Sequence, residues 1–485
     1  MDINNNIFKY LLLGFVLNSC NQTLITKNYT QTNVLFIAVD DLRTNIGAYG
    51  DSIAITPNIN KLSYSGLTFE KAYCQMAVCG PSRSSVLTGM YPDQIGVTDL
   101  NTHFRIKQPN VVTLPQIFKI NGYKTLTIGK IFHGRKSAQD SISLTSPSIL
   151  NLGIKKEQYL LAKNRTGKKA YATEAVDTLD EGYWDGKIAR HAVNALKKFK
   201  NSGEPFFLGV GFMKPHLPFS APKKYWDKYI KKNVFSLINR SRPIGAPSIA
   251  FHNSNELRGY TDIGDGIISF EKERELWHGY YASTTYTDFQ IGKVINALDS
   301  LNMRDNTLIV FWSDHGYHLG EQGFWCKSSN YELDVRVPLI ISHPSLPVKR
   351  VDQIVELVDI YPTIIDFCNI GEKTPLSGKS LINITGESKT KWSNYAFNQF
   401  GRPYEAALSG KGMTHEGYSV RDKKFRLTLW FNYKNGEIEE RELYDMSEGI
   451  EKKNISGQKK YQNIEEKLTQ LVVDHKNQKY LKNEF

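Results

Sequence analysis

The segment of this sequence best suited to chemistry is C-G-P-S-R at 79–83, which continues through hydroxylic residues into L-T-G at 87–89. Pro81 suits the first position of a helix, where its missing N–H costs nothing. Cys79 is then predicted to lie beside the positive end of that helix, where unpaired backbone N–H groups favour an anion. Arg83, one turn further on, is predicted to bind a tetrahedral oxyanion. A buried cysteine that only packs is the alternative.

A second reactive element is the pair Asp40-Asp41, which follows the apolar run 33–39. A continuous apolar run predicts a strand buried on both faces. Carboxylates at the C-terminal end of such a strand lie where open α/β sheets bind their ligands. Adjacent buried aspartates repel each other unless a cation neutralises them, so this pair predicts a divalent metal site. A solvated turn is the alternative for an isolated Asp-Asp pair.

Three further apolar runs, at 124–129, 205–212 and 307–312, also end in groups that carry charge or protons. If these strands share one sheet with 33–39, their reactive ends meet at one edge. Taken alone, each histidine is equally well a satisfied surface residue, and the later lysine a solvated one. The groups near these strand ends are Lys130, His133, His216, Asp314 and His315, with Lys327 following in the chain.

The elements that position these groups form an α/β pattern. Helical spacing and caps predict helices at 57–66, 113–121, 185–200, 273–301 and 359–368, with one more strand at 337–342. Two irregular stretches, 136–180 and 220–270, are expected to cover the reactive edge and to supply substrate contacts. Beyond the polar stretch 370–395, short strands are predicted at 417–420, 424–430 and 439–444, followed by a helix at 458–475.

This pattern predicts two domains, a catalytic α/β domain at 30–385 and a small C-terminal α+β subdomain with an antiparallel sheet at 390–485. With 40% hydrophobic and 23% charged residues, the composition is that of a globular protein. The formal net charge of +12 favours acidic partners. No nucleic-acid-binding motif accompanies the charge, so nucleic acid is not expected as a partner.

The first twenty residues have the pattern of an export signal. Lys9 precedes a short apolar run at 10–17, and Leu17-Asn18-Ser19-Cys20 resembles a bacterial lipobox that is cleaved before a lipidated Cys20. An ordinary signal peptide is the alternative. Either reading predicts an exported protein, and the lipobox predicts a membrane anchor in the periplasm or at the cell surface of a bacterium. The remaining cysteines, Cys74, Cys326 and Cys368, are expected to be free thiols, with a disulfide from Cys74 to one of the others as the alternative.

The motif at 79–89 resembles the signature C-x-P-S-R…L-T-G of the formylglycine-dependent (type I) sulfatases. The resemblance extends from about 32 to 365 through N-V-L-F-I-A-V-D-D, G-K-I-F-H, K-P-H-L-P-F and S-D-H-G, and it resumes as E-L-Y-D at 442–445. Within the family these motifs are most similar to iduronate-2-sulfatases and their bacterial polysaccharide-sulfatase relatives. The resemblance implies an alkaline-phosphatase-like large domain, with a mixed central sheet flanked by helices, plus the small C-terminal domain.

The resemblance also implies the site and its chemistry. A formylglycine-generating enzyme would oxidise Cys79 to formylglycine (3-oxoalanine), and Ca²⁺ would be bound by Asp40, Asp41, Asp314 and His315 together with the modified Cys79. Arg83 would neutralise charge on the sulfate, Lys327 would hold it, and His216 would protonate the leaving oxygen. His133, held by Lys130, would take the proton whose removal releases sulfate. The implied substrate is a sulfated carbohydrate, such as a 2-sulfated uronic acid or an algal glycan like ulvan.

Two other functions compete with a sulfatase. A phosphodiesterase or phosphonate hydrolase of the alkaline phosphatase superfamily would keep the fold and change the ester. A surface-anchored, non-catalytic glycan-binding lipoprotein would need an incomplete site, and this site looks complete. Turnover of aryl sulfates compared with aryl phosphate esters separates the first two functions.

Overall fold

The reactive edge belongs to a seven-stranded sheet with the order β11-β2-β10-β7-β1-β5-β3. The structure is a computed structural model that describes residues 31–481, apart from 135–138, 151–157, 167, 230–238, 372, 374, 386–391 and 393. Its strands are β1 (Asn33–Val39), β2 (Leu67–Tyr73), β3 (Lys124–Gly129), β4 (Thr173–Val176), β5 (Phe206–Phe212), β6 (Phe219–Pro222), β7 (Thr307–Ser313), β8 (His318–Leu319), β9 (Trp325–Cys326), β10 (Arg336–Ser342), β11 (Lys349–Glu356), β12 (Ala396–Arg402), β13 (His415–Arg421), β14 (Phe425–Asn432) and β15 (Ile438–Asp445).

Strand β1 lies in the middle of this sheet and pairs in parallel with β5 on one side and β7 on the other. Strand β3 continues the parallel order beyond β5. Strand β10 pairs antiparallel with both β7 and β2, which makes the sheet mixed. Because β1, β3, β5 and β7 run in the same direction, their C-terminal ends lie at the same edge.

Helices cover both faces of the sheet. Alternate residues of β1 enter different cores: Phe36 packs with α2, α5 and α11, whereas Ile37 packs with α1, α6 and α9. The helices are α1 (Pro57–Ser63), α2 (Cys79–Thr88), α3 (Pro92–Ile95), α4 (Phe104–Lys107), α5 (Leu114–Ile120), α6 (Trp184–Ser202), α7 (Lys223–Trp226), α8 (Asn255–Arg258), α9 (Phe270–Ser300), α10 (Glu332–Val335), α11 (Ile360–Phe367), α12 (Tyr404–Ser409) and α13 (Gln462–Leu481).

The second sheet is antiparallel, with the order β12-β13-β14-β15, and α13 packs against it. All predicted strands and helices are present within a few residues of the predicted bounds. The strands that the sequence did not predict are β2, β11 and β12 in the two large sheets and the short strands β4, β6, β8 and β9. Charged residues interrupt the apolar pattern of the first two, as Glu70 and Lys71 do in β2, and β11 is an edge strand, which needs an apolar side only where it packs.

The described residues from Thr32 onward form one compact unit. The predicted boundary near 385–390 stays a prediction, and 386–390 lies outside the described residues. The predicted signal peptide at 1–20, with Cys20, also lies outside them. Among the residues that the structure describes, none of the helices has the length and apolar character of a membrane span.

Candidate active site

The predicted strand ends meet, as the parallel order requires. Asp40 and Asp41 follow β1, Lys130 follows β3, and Asp314 follows β7. Backbone hydrogen bonds join these ends: the Asp40 N–H donates to the carbonyl of Phe212 at 3.2 Å, and the Lys130 N–H donates to that of Gly211 at 2.8 Å. A side chain on Gly211 would collide with the Lys130 carbonyl at 2.0 Å, so this close approach requires glycine.

Cys79 begins α2, with Val78 as the N-cap, so the helix starts two residues before the predicted position. Pro81 is therefore in the first turn but not at its first position, which is still tolerated because the N–H groups of that turn have no partner in the helix. Cys79 is buried, and burial, with the charge of Asp40, raises the pKa of its thiol. An unmodified Cys79 would therefore be almost entirely protonated at neutral pH, and little of the nucleophilic thiolate would be present.

Four buried groups form a candidate metal centre. Ligand atoms of Asp40, Asp41, Cys79 and His315 all lie within 4.8 Å of one another. Burial raises the pKa of Asp41 to about 7 against the opposing charges of Lys327 and His315. A bound cation would stabilise the charged form of such a buried carboxylate.

The orientation of His315 fits a metal ligand. Its Nδ1 lies 3.0 Å from the carbonyl of Gly316, so Nδ1 donates and Nε2 can present a lone pair to a cation. Nε2 lies 3.2 Å from Cys79 Sγ and 3.3 Å from Asp41 Oδ1. Burial alone would lower the pKa of His315, but Asp314, Cys79 and Asp41 raise it to about 10. A bound cation would compete with the proton that this anionic field attracts.

Asp314 organises the centre from one side. Its Oδ1 accepts hydrogen bonds from the backbone N–H groups of Asp41 and His315 at 3.2 and 3.1 Å, and its Oδ2 accepts one from Arg83 Nε at 2.7 Å. Asp314 is not among the four groups that converge within 4.8 Å. Its predicted role as a direct ligand stays a prediction, whereas its role in orienting two ligands is visible.

The side chain of Arg83 is completely buried and does not line the cleft. Its predicted contact with a substrate oxyanion stays a prediction, whereas its contacts within the protein are visible. Its Nε and Nη2 donate to Asp314 and Asp40, at 2.7 and 3.2 Å, and its Nη1 donates to the backbone carbonyls of Lys130 and Ile131. Arg83 is therefore a positioning residue that ties α2 to the ends of β1, β3 and β7.

Each of the two predicted lysines forms an ion pair with one of the two aspartates. Lys130 Nζ donates to Asp40 Oδ2. Burial alone would raise the pKa of Asp40, but Lys130, with His216 and Arg83, holds it well below its usual range. Lys327 Nζ lies 3.1 and 3.0 Å from the two oxygens of Asp41. The proposed support of His133 by Lys130 stays a prediction.

Strained backbone surrounds Lys327. Its neighbours Cys326 and Ser328 have φ of 70° and 89°, and Asp41 has φ of 62°. Non-glycine residues in this region cost about 1–3 kcal/mol each and persist where the surrounding structure holds them. Three such residues around one ion pair indicate that the position of Lys327 is imposed by the fold.

One functional group that the sequence analysis missed is Glu256, on the short helix α8. Its Oε1 lies 2.8 Å from Lys327 Nζ and 3.4 Å from His216 Nε2. Glu256 follows no strand and sits in the stretch 220–270 that reads as loop, so no local pattern could have identified it. His216 Nδ1 lies 2.6 Å from the Leu217 carbonyl, so Nδ1 donates and Nε2 faces Glu256.

These groups line a cleft of about 400 Å³. Both irregular stretches reach it as predicted, the first with Lys168 and Lys169 and the second with Glu256 and its neighbours. Helix α12 closes the far side, so the C-terminal part of the chain also contributes. The lining residues are Val78, Cys79, Leu100, Lys130, His133, Gln158, Tyr159, Lys168, Lys169, His216, Leu217, Asn255, Glu256, Tyr260, Lys327, Ser328, Tyr404, Glu405 and Leu408.

The remaining cysteines have no place in this chemistry. Cys74, Cys326 and Cys368 are free thiols, and the first two are buried. The hydroxyl of Tyr317 donates to Cys326 Sγ at 3.1 Å. His318, whose role the sequence left open, is buried between Asp334 and Gln322 and does not line the cleft.

Comparison with known proteins agrees with this geometry. Residues 32–370 match the family model described as Sulfatase, and residues 320–478 match the model N-sulphoglucosamine sulphohydrolase, C-terminal. Iduronate 2-sulfatase of Homo sapiens is 32% identical over 500 residues, which cover 88% of this chain and 91% of that protein. A sulfatase of Formosa agariphila is 31% identical, and the match covers 81% of each protein.

Solved structures confirm the fold prediction. The structure of BT4656 in complex with D-glucosamine-2-N,6-O-disulfate has a TM-score of 0.73 at 23% identity, and the match covers 93% of this chain and 99% of that one. Phosphonate monoester hydrolase from Silicibacter pomeroyi has a TM-score of 0.74 at 20% identity, with 93% and 96% covered. These likenesses establish the alkaline-phosphatase-like architecture. Together with the family model and the relatives above 30% identity, they show that the chain belongs to the sulfatase family and is a sulfatase.

Proposed function

We propose that this protein removes sulfate from a sulfated carbohydrate by means of a formylglycine made from Cys79. The observation that carries the proposal is the position of Cys79, at the N-terminus of α2 and 3.2 Å from His315 Nε2 in the carboxylate cluster. The raised pKa of the Cys79 thiol argues against direct attack by a thiolate. Oxidation to formylglycine would supply a hydrated aldehyde, whose hydroxyl is the attacking group.

Calcium is the cation that the donor set fits best. Asp40 and Asp41 offer the hard oxygen ligands that Ca²⁺ prefers, and His315 offers a nitrogen whose direction is set by Gly316. A bound Ca²⁺ would polarise the sulfate oxygens and neutralise part of their charge. The chain's own contribution is to hold these ligands in place through Asp314 and Arg83.

The cleft residues would then bind and orient the ester. Lys327 and Lys130 present ammonium groups toward the centre, where a sulfate needs compensation of its charge. Burial and the Lys327 charge lower the pKa of His216 to about 3, so that its ring is neutral in the substrate-free cleft. An anionic sulfate beside Lys327 would raise that pKa and let Nε2 carry the proton for the leaving oxygen. His133, which also lines the cleft, is the proposed acceptor of the proton whose removal releases sulfate.

The proposed substrate is a 2-sulfated uronic acid or an algal glycan such as ulvan, within a polysaccharide or an oligosaccharide. The names of the relatives support a sulfated sugar, and so do the net charge of +12 and the lysines Lys168 and Lys169 in the cleft. We further propose that the protein is exported and anchored by lipid at Cys20, which would place it where extracellular polysaccharide is degraded.

Phosphonate or phosphodiester hydrolysis is a second candidate, which the fold of the phosphonate monoester hydrolase permits. Likeness of fold alone does not choose between the esters. The family match and the relatives named as sulfatases favour the sulfate ester.

The test is peptide mass spectrometry across Cys79 of protein made together with a formylglycine-generating enzyme, combined with turnover of aryl sulfate, phosphate and phosphonate esters. We expect conversion of Cys79 to the aldehyde, a preference for sulfate, and loss of at least about 10⁴-fold in turnover in Cys79→Ala. An unmodified thiol in active protein, or faster turnover of the phosphorus esters, would overturn the proposal.

A further inference from the structure

The chemistry proposed above assigns no role to the carboxylate of Glu256, which lines the cleft. Burial alone would raise its pKa, but Lys327, with His216, lowers it to about 2. Glu256 is therefore ionised at neutral pH. An ionised carboxylate accepts hydrogen bonds and donates none.

Contacts on both sides of α8 fix the position of Glu256. Lys169 Nζ donates to its backbone carbonyl and packs against the ring of Tyr260, 5.0 Å from its centroid. The preceding residue, Asn255, donates from Nδ2 to Glu405 Oε1 at 2.6 Å, which ties α8 to α12. A single turn of helix is thus held from both sides, and its carboxylate faces the reactive end of the cleft.

The Glu256 carboxylate keeps an acceptor oxygen for a ligand. In the described part of the chain, Lys327 Nζ and His216 Nε2 both approach its Oε1, at 2.8 and 3.4 Å. His216 Nδ1 donates to the Leu217 carbonyl, so Nε2 is an acceptor when the ring is neutral and donates toward Oε1 when the ring is protonated. In both states the second oxygen, Oε2, can accept a hydrogen bond from a hydroxyl group of a ligand in the cleft.

We propose that Glu256 accepts a hydrogen bond from a free hydroxyl on the carbon next to the sulfated carbon of the sugar. Lys327 Nζ contacts both Asp41, at the metal centre, and Glu256, so an ester whose sulfate lies at Lys327 has its sugar ring beside Glu256. The inference rests on the proposed function and narrows its substrate class. The favoured substrates are sulfate esters of secondary ring hydroxyls that have a free hydroxyl neighbour, and a second sulfate at that neighbour is repelled.

The experiment pairs substrate changes with enzyme changes. The probes are methyl glycosides that carry one sulfate, namely a 2-sulfated uronide and 3- and 4-sulfated hexosides, each with an analogue that is deoxy at the neighbouring carbon. For the wild-type enzyme we expect the deoxy change to lower kcat/KM by about 10- to 100-fold, because a hydrogen bond to a charged acceptor is lost.

In Glu256→Ala the deoxy penalty should fall to less than about threefold, since both sugars then lack the partner, and in Glu256→Gln it should be intermediate. Glu271→Gln is the control: it removes an exposed carboxylate at the start of α9, outside the lining of the cleft, and should keep the wild-type penalty. Aryl sulfate turnover and the melting temperature of each variant show whether the site is still assembled.

The outcomes distinguish the proposed sulfatase activity from the proposed role of Glu256. Failure of the wild-type enzyme to cleave any sulfate ester would refute the proposed function itself. Cleavage of the sugars without a deoxy penalty, or an equal penalty in wild type and in both Glu256 variants, would refute the role of Glu256 and leave the sulfatase activity intact.

Discussion

Two networks of buried charges can be compared in this molecule. At the edge of the central sheet, Asp40 and Asp41 face Lys130 and Lys327, and both lysines line the cleft. Between the central and the C-terminal sheets, the carboxylate of Glu332 is held at 2.7 Å by Arg426 Nη2 and at 3.2 Å by Arg421 Nε, and none of these residues lines that cleft.

One carboxylate of each network shows a difference in charge balance and in backbone strain. Burial alone would raise the pKa of Glu332, but Arg421 and Arg426 lower it, so the charge of Glu332 is balanced within the protein. The pKa of Asp41 is instead raised to about 7, and the backbone of Asp41 is left-handed. The direction of the pKa shift alone does not separate the two networks, because the pKa of Asp40 is lowered and that of Glu451 is raised. Strained backbone at buried charges beside a cleft is what marks the site.

The largest expected effect comes from breaking the network at the cleft. Asp314→Asn removes the charge that orients Arg83, and it weakens the acceptor for the backbone of His315. We expect aryl sulfate turnover to fall by at least about 10²- to 10³-fold and calcium affinity to fall with it. Asp305→Asn, an exposed change before the other end of β7, is the control and should have wild-type turnover. An Asp314→Asn enzyme with more than a tenth of wild-type turnover would contradict this assignment.

The network between the sheets should respond in stability and not in chemistry. Arg426→Met removes the arginine that pairs with Glu451 and one of the two that pair with Glu332, at a cost of about 3–5 kcal/mol in the free energy of unfolding. Urea denaturation measures this loss, with Arg441→Met on the neighbouring strand as the exposed control. Turnover per folded molecule should stay within about twofold of wild type. A loss of turnover without a loss of stability would show that this network serves the chemistry, which contradicts the prediction.

His318 should add a pH dependence to stability. Gln322 donates to the Glu451 carbonyl, so its oxygen faces His318 Nε2, while Nδ1 faces Asp334 at 2.6 Å. Both ring nitrogens must donate, and Asp334 raises the pKa of His318 against the effect of burial.

The protonated form of His318 contributes stability that is complete below about pH 6.5, the unfolded value, and is lost as pH rises through the raised folded value. The slope is at most about 1.4 kcal/mol per pH unit. Unfolding curves of wild type and His318→Gln between pH 6 and 9 should therefore converge as pH rises. Parallel curves would show that His318 is neutral in the folded protein.

The smallest effect is expected at the surface. Lys223 and Asp227 form an exposed i,i+4 pair at 2.6 Å, shorter than several of the buried pairs. Water screens this pair, so Lys223→Ala should change the free energy of unfolding by less than about 0.5 kcal/mol. A larger change in thermal unfolding would mean that distance, rather than burial, decides the strength of these networks.

Much of the site was predictable because it follows from local patterns. The apolar runs before Asp40, Lys130 and Asp314 predict buried strands, and parallel strands bring their ends together. Arg83 shows the limit of this reasoning. Its spacing from Cys79 places it one turn along the helix, but whether it faces the cleft or the sheet depends on how α2 packs.

The sequence by itself determined the strands that carry the reactive groups, the meeting of their ends at one edge and the family, because periodicity and motif spacing are local properties of the chain. Only the tertiary structure decided that Arg83 is a buried clamp, that Glu256 joins Lys327 across 71 positions of the chain, and that α12 closes the cleft. These features depend on packing between segments that are distant in the chain. The free energy of burying and pairing their charges exists only once the segments meet.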